Sequence, residues 1–272
     1  MELTDLCDRL DGRLDHDEYA AVDASANGLQ VGRADGREVE HVAFAVDGVA
    51  ATAEAAATAG ADLLVVHHGV VWGGLDRVTG REYDRVAGHV EADLPLYVSH
   101  LPLDGHDELG NAARLAAFLD CEVTGPFGDA GGVTIGQRAR TPEPYSVAEL
   151  RDRLTALDTG GKAVDVLDFG PERIEDVGIV TGGGADWVRE ADEAGVDAFV
   201  TGEGKGKVYN EAREAGLNVF LAGHYATETF GVRARWPIVT PPASPNGPVT
   251  SQSRKAARRA ALPSSSWPSS GR

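Results

Sequence analysis

The sequence predicts an α/β protein of two lobes, the first with a mostly parallel sheet and the second inserted into it or packed beside it. Three observations carry this. Short apolar segments alternate with amphipathic or alanine-rich ones up to about residue 119, a Gly/Pro-rich stretch interrupts them near residues 125–132, and a second alternation follows. Leu3, Leu6, Cys7 and Leu10 recur at helical spacing and open the chain with an amphipathic helix. Residues 41–46 read as a strand, followed by an alanine-rich helix over 48–59 that Gly60 closes. The run Leu63-Leu64-Val65-Val66 is apolar on both faces, as a strand inside a parallel sheet requires. A helix over 80–91, a strand over 96–99 and a helix over 108–119 complete the first alternation. Asn27-Gly28-Leu29-Gln30-Val31-Gly32 reads either as a turn before a strand or as a loop offering backbone amides.

Gly125-Pro126-Phe127-Gly128 and Ala130-Gly131-Gly132 mark a boundary. Beyond it the pattern predicts strands over 133–137, 163–167, 177–181, 198–201 and 217–221, with helices over 146–157, 187–194 and 207–215. The expected division places residues 1–124 and 219–232 in the first lobe, 125–218 in the second, and 233–272 in a tail.

Composition narrows the function. The 272 residues hold 43 Asp and Glu against 25 Lys and Arg, a net charge of −18, and only four lysines. An acidic, lysine-poor surface suits a salt-rich cytoplasm, where screening is dense, and opposes nucleic acid, whose binding needs clustered cations. No run approaches the roughly 20 apolar residues of a membrane-spanning helix, and the acidic start resembles no targeting peptide. A cytoplasmic location is expected. Two cysteines, Cys7 and Cys121, exclude a disulfide framework, a zinc ribbon or an iron–sulfur cluster. The tail differs from the body: residues 233–272 carry seven basic and no acidic residues, seven prolines and eight serines. Such a segment lacks the apolar content to offset its ordering entropy. It reads either as a disordered basic arm able to touch nucleic acid or as translation in a shifted reading frame.

The informative chemistry is positional. His67 and His68 follow one predicted strand, His100 and Asp104 another, and His224 and Glu228 a third. Strand carboxyl ends in an open parallel sheet face one crevice, where ligands bind. A lone His-His pair caps a strand as readily as it binds an ion, but donors at three strand ends favour the ion. Neutral imidazoles and carboxylates suit Zn, Fe, Mn, Co or Ni. His67, His68, Asp104, His224 and Glu228 are too many for one catalytic zinc and fit two divalent ions, between which a water is activated. Gly182-Gly183-Gly184 is a tight turn or an anion cradle. The segment Gly202–Lys207 lacks the spacing of a phosphate loop, although Lys205 and Lys207 are candidates for binding an anionic substrate. His16, His41, His89 and His106 have no comparable setting and read as ordinary polar residues.

In order, Asn27–Gly32, His67-His68-Gly69, His100-Leu101-Pro102-Leu103-Asp104 and Gly223-His224-Tyr225-Ala226-Thr227-Glu228 resemble the Nif-three-like family, also called GTP cyclohydrolase 1 type 2 homologues. The resemblance covers about residues 1–232. It implies two α/β domains with a dinuclear metal site in the cleft between them, and a toroidal homohexamer. Carried over by motif, the ligands are His67, His68, Asp104, His224 and Glu228, with His100 beside the metals. Two departures stand out. Lys205-Gly206-Lys207-Val208 occupies a place where the family often has a histidine pair, and the Pro/Ser/Arg tail replaces a closing helix and strand. The expected function is a metal-dependent hydrolase in which His100 and Glu228 serve the reaction and a small nucleotide or other phosphate-bearing metabolite is the substrate. A non-catalytic metal-binding scaffold or regulatory ring is the alternative.

Overall fold

The computed structural model describes residues 1–234 and Trp236; the expectations for the tail therefore lie almost wholly outside the described residues. Two sheets form the fold. The first contains β1 (Gly28–Val31), β2 (Val42–Asp47), β3 (Leu63–His68) and β4 (Leu96–Val98) in the order β1-β4-β3-β2. β2, β3 and β4 run parallel, and β1 is antiparallel to β4. Successive side chains of a strand alternate between faces, so the apolar run of β3 splits its burial. Leu63 and Val65 join Leu3, Leu6 and Leu10 of helix α1 (Leu3–Arg13) on one side. Leu64 and Val66 face Ala56 of α3 (Ala50–Thr58) and Leu94 on the other. The short helix α2 (His16–Tyr19) follows α1, and α4 (Arg81–Glu91) precedes β4.

The chain then enters α5 (Leu101–Gly105) and α6 (Asn111–Phe118). The second sheet contains β5 (Glu122–Asp129), β6 (Thr134–Ser146), β7 (Asp165–Leu167), β8 (Arg173–Ile179), β9 (Ala198–Thr201) and β10 (Asn218–Leu221), ordered β5-β6-β8-β9-β10-β7. β8, β9 and β10 are parallel, whereas β5, β6 and β7 pair antiparallel with their neighbours. One face packs on Leu115 of α6 and on Leu150 and Leu154 of α7 (Val147–Thr155). The other packs on Val188 and Ala191 of α8 (Val188–Glu193) and Val208 and Ala212 of α9 (Val208–Ala215). After α10 (His224–Thr227), helix α11 (Thr229–Arg233) returns to lie against β2 and β3, and Trp236 packs on Phe44 with ring centroids 5.5 Å apart.

Three expectations are corrected. The strand over 217–221 does not rejoin the first sheet: β10 pairs with β9 and β7, because its Val219 and Phe220 are needed on the two faces of the second core. Residues 125–129 are not a loop boundary but part of β5. Pro126 is tolerated there because β5 is an edge strand, where a missing N–H costs no second ladder bond. The segment 27–32 contains β1, whose short length and bulge between Leu29 and Val31 hide its alternation.

Gly105 lets α5 press against β6. A Cβ at this position would lie 2.1 Å from the Thr134 carbonyl oxygen and 2.4 Å from the Tyr19 hydroxyl. Gly105→Ala is expected to destabilise the chain by about 1–3 kcal/mol through overpacking, read as a lower denaturant midpoint at unchanged slope.

Candidate metal centre

β3 ends on two imidazoles. His67 is fully buried and His68 partly exposed, with ring centroids 4.6 Å apart. His100 follows β4 after Ser99, and one turn of α5 then brings Asp104 to the same point. From the second sheet, the backbone leaves β10 through Gly223, at φ +95, a conformation that favours glycine. This turn places His224 at the start of α10 and Glu228 just after it. The predicted crevice is therefore not the rim of one sheet. It lies where the carboxyl ends of β3 and β4 meet that of β10 across the two sheets.

Glu228 stands at the middle. Its Oε1 is 3.0 Å from His224 Nε2 and 3.5 Å from His67 Nε2, and its Oε2 is 3.3 Å from His68 Nε2. Asp104 Oδ1 lies 3.6 Å from His67 Nε2. Potential ligand atoms gather in three groups, each within 4.8 Å: His67, His68 and His100; His68, His224 and Glu228; and His67, Asp104 and Glu228. The structure thus brings together the six histidines and carboxylates expected at the site, but not Lys205 and Lys207.

A second layer sets the orientation of these rings. His67 Nδ1 faces the Ser99 carbonyl at 3.1 Å, His68 Nδ1 the Asp47 carboxylate at 2.8 Å, His100 Nδ1 the Asp23 carboxylate at 2.8 Å, and His224 Nδ1 Glu203 at 3.0 Å. Each neighbour only accepts, so each Nδ1 carries the hydrogen and donates it. In the neutral ring Nε2 is then the lone-pair donor, an arrangement typical of metal-ligating histidine. Asp104 Oδ1 accepts from Asn111 at 2.8 Å and from Thr181 at 3.0 Å.

The cluster fits a cation. His67 Nε2 and Glu228 Oε2 are buried with no hydrogen-bond partner among the described residues, although His68 Nε2 lies 3.3 Å from Oε2. Ser25 Oγ and His89 Nε2 share this state, but His67 Nε2 and Glu228 Oε2 differ in lying where several potential ligand atoms converge. Gly182 leaves the space: a Cβ there would come within 2.0 Å of Glu228 Oε1. Burial alone would lower the His67 imidazole, but Asp104 and Glu228 outweigh it and raise it. The same contest, with Asp47 and Glu228 as partners, lifts His68 to about 10. The hydrogen bond to Glu228 chiefly lifts His224, to about 9. Burial would raise the Glu228 carboxyl, yet the surrounding imidazoles hold it well below the usual carboxylate range.

Lys205 and Lys207 sit outside this core. Both ammonium groups pair with Asp186, Lys207 at 3.1 Å, so it is Glu203 in the same loop that reaches the centre. Asp23, Asp47 and Glu203 were not expected from the sequence. Asp47 carried a usable signal, because it ends β2 in register with His68. Glu203 lies in the Gly202–Lys207 segment, which the sequence marks for its lysines alone, and Asp23 lies in an irregular segment with no such signal.

A two-sheet α/β fold with a buried histidine–carboxylate centre at facing strand ends defines a class of protein suited to holding divalent cations. The chain belongs to the Duf34/NIF3 (NGG1p interacting factor 3) family, whose model matches residues 1–240. A Halobacterium salinarum protein named GTP cyclohydrolase 1 type 2 homolog is 59% identical, the alignment covering 86% of this chain and 92% of the relative. One of the same name from Deinococcus radiodurans is 42% identical over 79% of this chain and 80% of its own. Among solved structures, protein ybgI, titled as of unknown function, superposes with a TM-score of 0.77 at 34% identity, covering 86% of this chain and 91% of its own.

The alkaline pH dependence of stability is expected to disappear when metal is bound. In chelator-treated protein, the raised imidazoles stabilise fully below their ordinary value of 6.5, and this contribution is lost as pH rises through about 9 to 10. The depressed Glu228 contributes above its ordinary 4.5 and loses that contribution on acidification. Bound cations require deprotonated imidazoles, and unfolded imidazoles are also neutral above 6.5, so metal-loaded protein escapes this alkaline loss and its stability is flat over the same interval. Melting temperatures from pH 6.5 to 9.5, with and without chelator, check the two slopes.

Proposed function

We propose that this protein is a dinuclear metal-dependent hydrolase. The observation that supports the reading is the pair of buried atoms without hydrogen-bond partners among the described residues, His67 Nε2 and Glu228 Oε2, inside two overlapping ligand groups. His67, Asp104 and Glu228 would hold one divalent ion; His68, His224 and Glu228 would hold the other. Such ions, of the Zn, Fe, Mn, Co or Ni class, lower the pKa of water and stabilise charge developing on the attacked centre. His100, oriented by Asp23 and with its ring 5.0 Å from His67 and 5.7 Å from His68, takes up and returns the proton of the attack.

The name shared by the relatives points to a purine nucleotide opened by water, and another phosphate-bearing metabolite fits the same chemistry. Lys205 and Lys207 supply local positive charge in an otherwise acidic body, and a phosphate would draw them from Asp186. A cytoplasmic, salt-adapted homohexamer completes the proposal; the charge of −18 supports the salt adaptation, and the family resemblance supports the ring.

The two subsites differ in exposure. His67, Asp104 and Glu228 are all buried, whereas His68 and His224 reach solvent. Chelation is therefore expected to remove two metal equivalents in two phases, the more exposed one first, as followed by metal analysis against time. Glu228→Gln keeps the shape but removes the shared charge, and should weaken both equivalents by about 100-fold or more. Screening the loaded protein against nucleotides and phosphoesters tests the reaction. Two bound ions with every substrate intact would defeat the hydrolase and leave a metal-holding scaffold.

A further inference from the structure

Behind the metal centre a polar chain runs inward from the half-exposed Asp11 to the buried His16 and Ser99, and the residues assigned above do not use it. His16 in α2 is 8% exposed, although its sequence setting marks it as an ordinary polar residue. Its Nδ1 is 3.0 Å from Asp11 Oδ1, and its Nε2 is 3.0 Å from Ser99 Oγ. Asp11 also accepts a 2.7 Å hydrogen bond from the Tyr97 hydroxyl, and the Tyr97 ring stacks on His16 at 5.7 Å. The order Asp–His–Ser is that of an acyl-transfer triad. Ser99 is fully buried, however, so no substrate carbonyl reaches its hydroxyl.

The chain leads to the metal ligands instead. Ser99 accepts His67 Nδ1 on its carbonyl oxygen at 3.1 Å and donates its N–H to Val66, the residue before His67, at 3.0 Å. We infer that His16 is a positioning residue for His67, acting through Ser99. Asp11 only accepts, so it fixes the hydrogen on His16 Nδ1 and leaves Nε2 to receive the Ser99 hydroxyl. That bond holds Ser99 in one rotamer at the end of β4 and steadies the carbonyl that orients His67. The residues beyond are held in the same manner: Asn27 Oδ1 accepts the His100 N–H at 2.8 Å and Asp23 Oδ2 the Leu101 N–H at 2.9 Å. Asp11, His16, Asp23 and Asn27 all belong to the N-terminal stretch, which thus clamps the turn from which the metal centre is built.

The inference rests on the metal-centre reading, and cobalt(II) titration of the full chain separates the two. Wild type should bind two equivalents. His16→Ala should weaken the equivalent held with His67 by about tenfold and alter its visible absorption, leaving the other equivalent unchanged. His16→Gln, whose amide oxygen can still accept the Ser99 hydroxyl, should recover most of the loss. Ser99→Ala should match His16→Ala, and the double variant should lose nothing more, because both break one link. Wild-type affinity in both single variants, losses that add in the double variant, or equal weakening of both equivalents would overturn the positioning role while leaving the metal centre standing. Wild type that binds no cobalt would overturn both. If His16→Ala does not fold, Ser99→Ala, which removes one hydroxyl, decides the matter.

Discussion

A carboxylate with 3% exposure is the constraint on which this structure turns. Burying an ionised Glu228 costs far more than one hydrogen bond returns, so the fold must surround it with partners that carry or bind positive charge. Three imidazoles from two sheets meet that demand, and each is held from behind by an acceptor. The close approaches at Gly105 and Gly182 follow from the same need, since a side chain at either position would push apart elements that have to converge.

The exchange of elements between the sheets also follows. α6 comes after the ligands of the first sheet, yet its Leu115 and Leu119 just beyond it fill the core of the second. α11 follows the ligands of the second sheet and returns to the first, where Gly231 donates its N–H to Asn111 at 2.7 Å. Asn111 in turn donates to Asp104, so one amide links the closing helix to a candidate ligand.

Much of this was legible in the sequence. The apolar run of β3, the helical spacing of α1 and the placement of histidines after strands each express a local rule: alternation, amphipathicity, and ligands at strand carboxyl ends. Those rules found His67, His68, His100, Asp104, His224 and Glu228. They did not reveal which sheet β10 joins, because Val219 and Phe220 are equally apolar for either core. They also passed over β5, where Gly and Pro obscure a strand that only edge position makes permissible. Asp23, Glu203 and His16 were hidden for another reason. Their roles come from contacts about 20 to 80 residues away in the chain, which periodicity does not record.

The return of α11 to the first sheet has a mechanical corollary. Ions at the centre would rivet the ends of β3 and β10 together and close a loop of about 160 residues between His67 and Glu228. Loop-closure entropy grows only logarithmically with length, about 0.6 kcal/mol for each doubling. The cost of so wide a stitch therefore rises far more slowly than its length, and the ions would add a tie between the two sheets to the one that α6 and α11 already make.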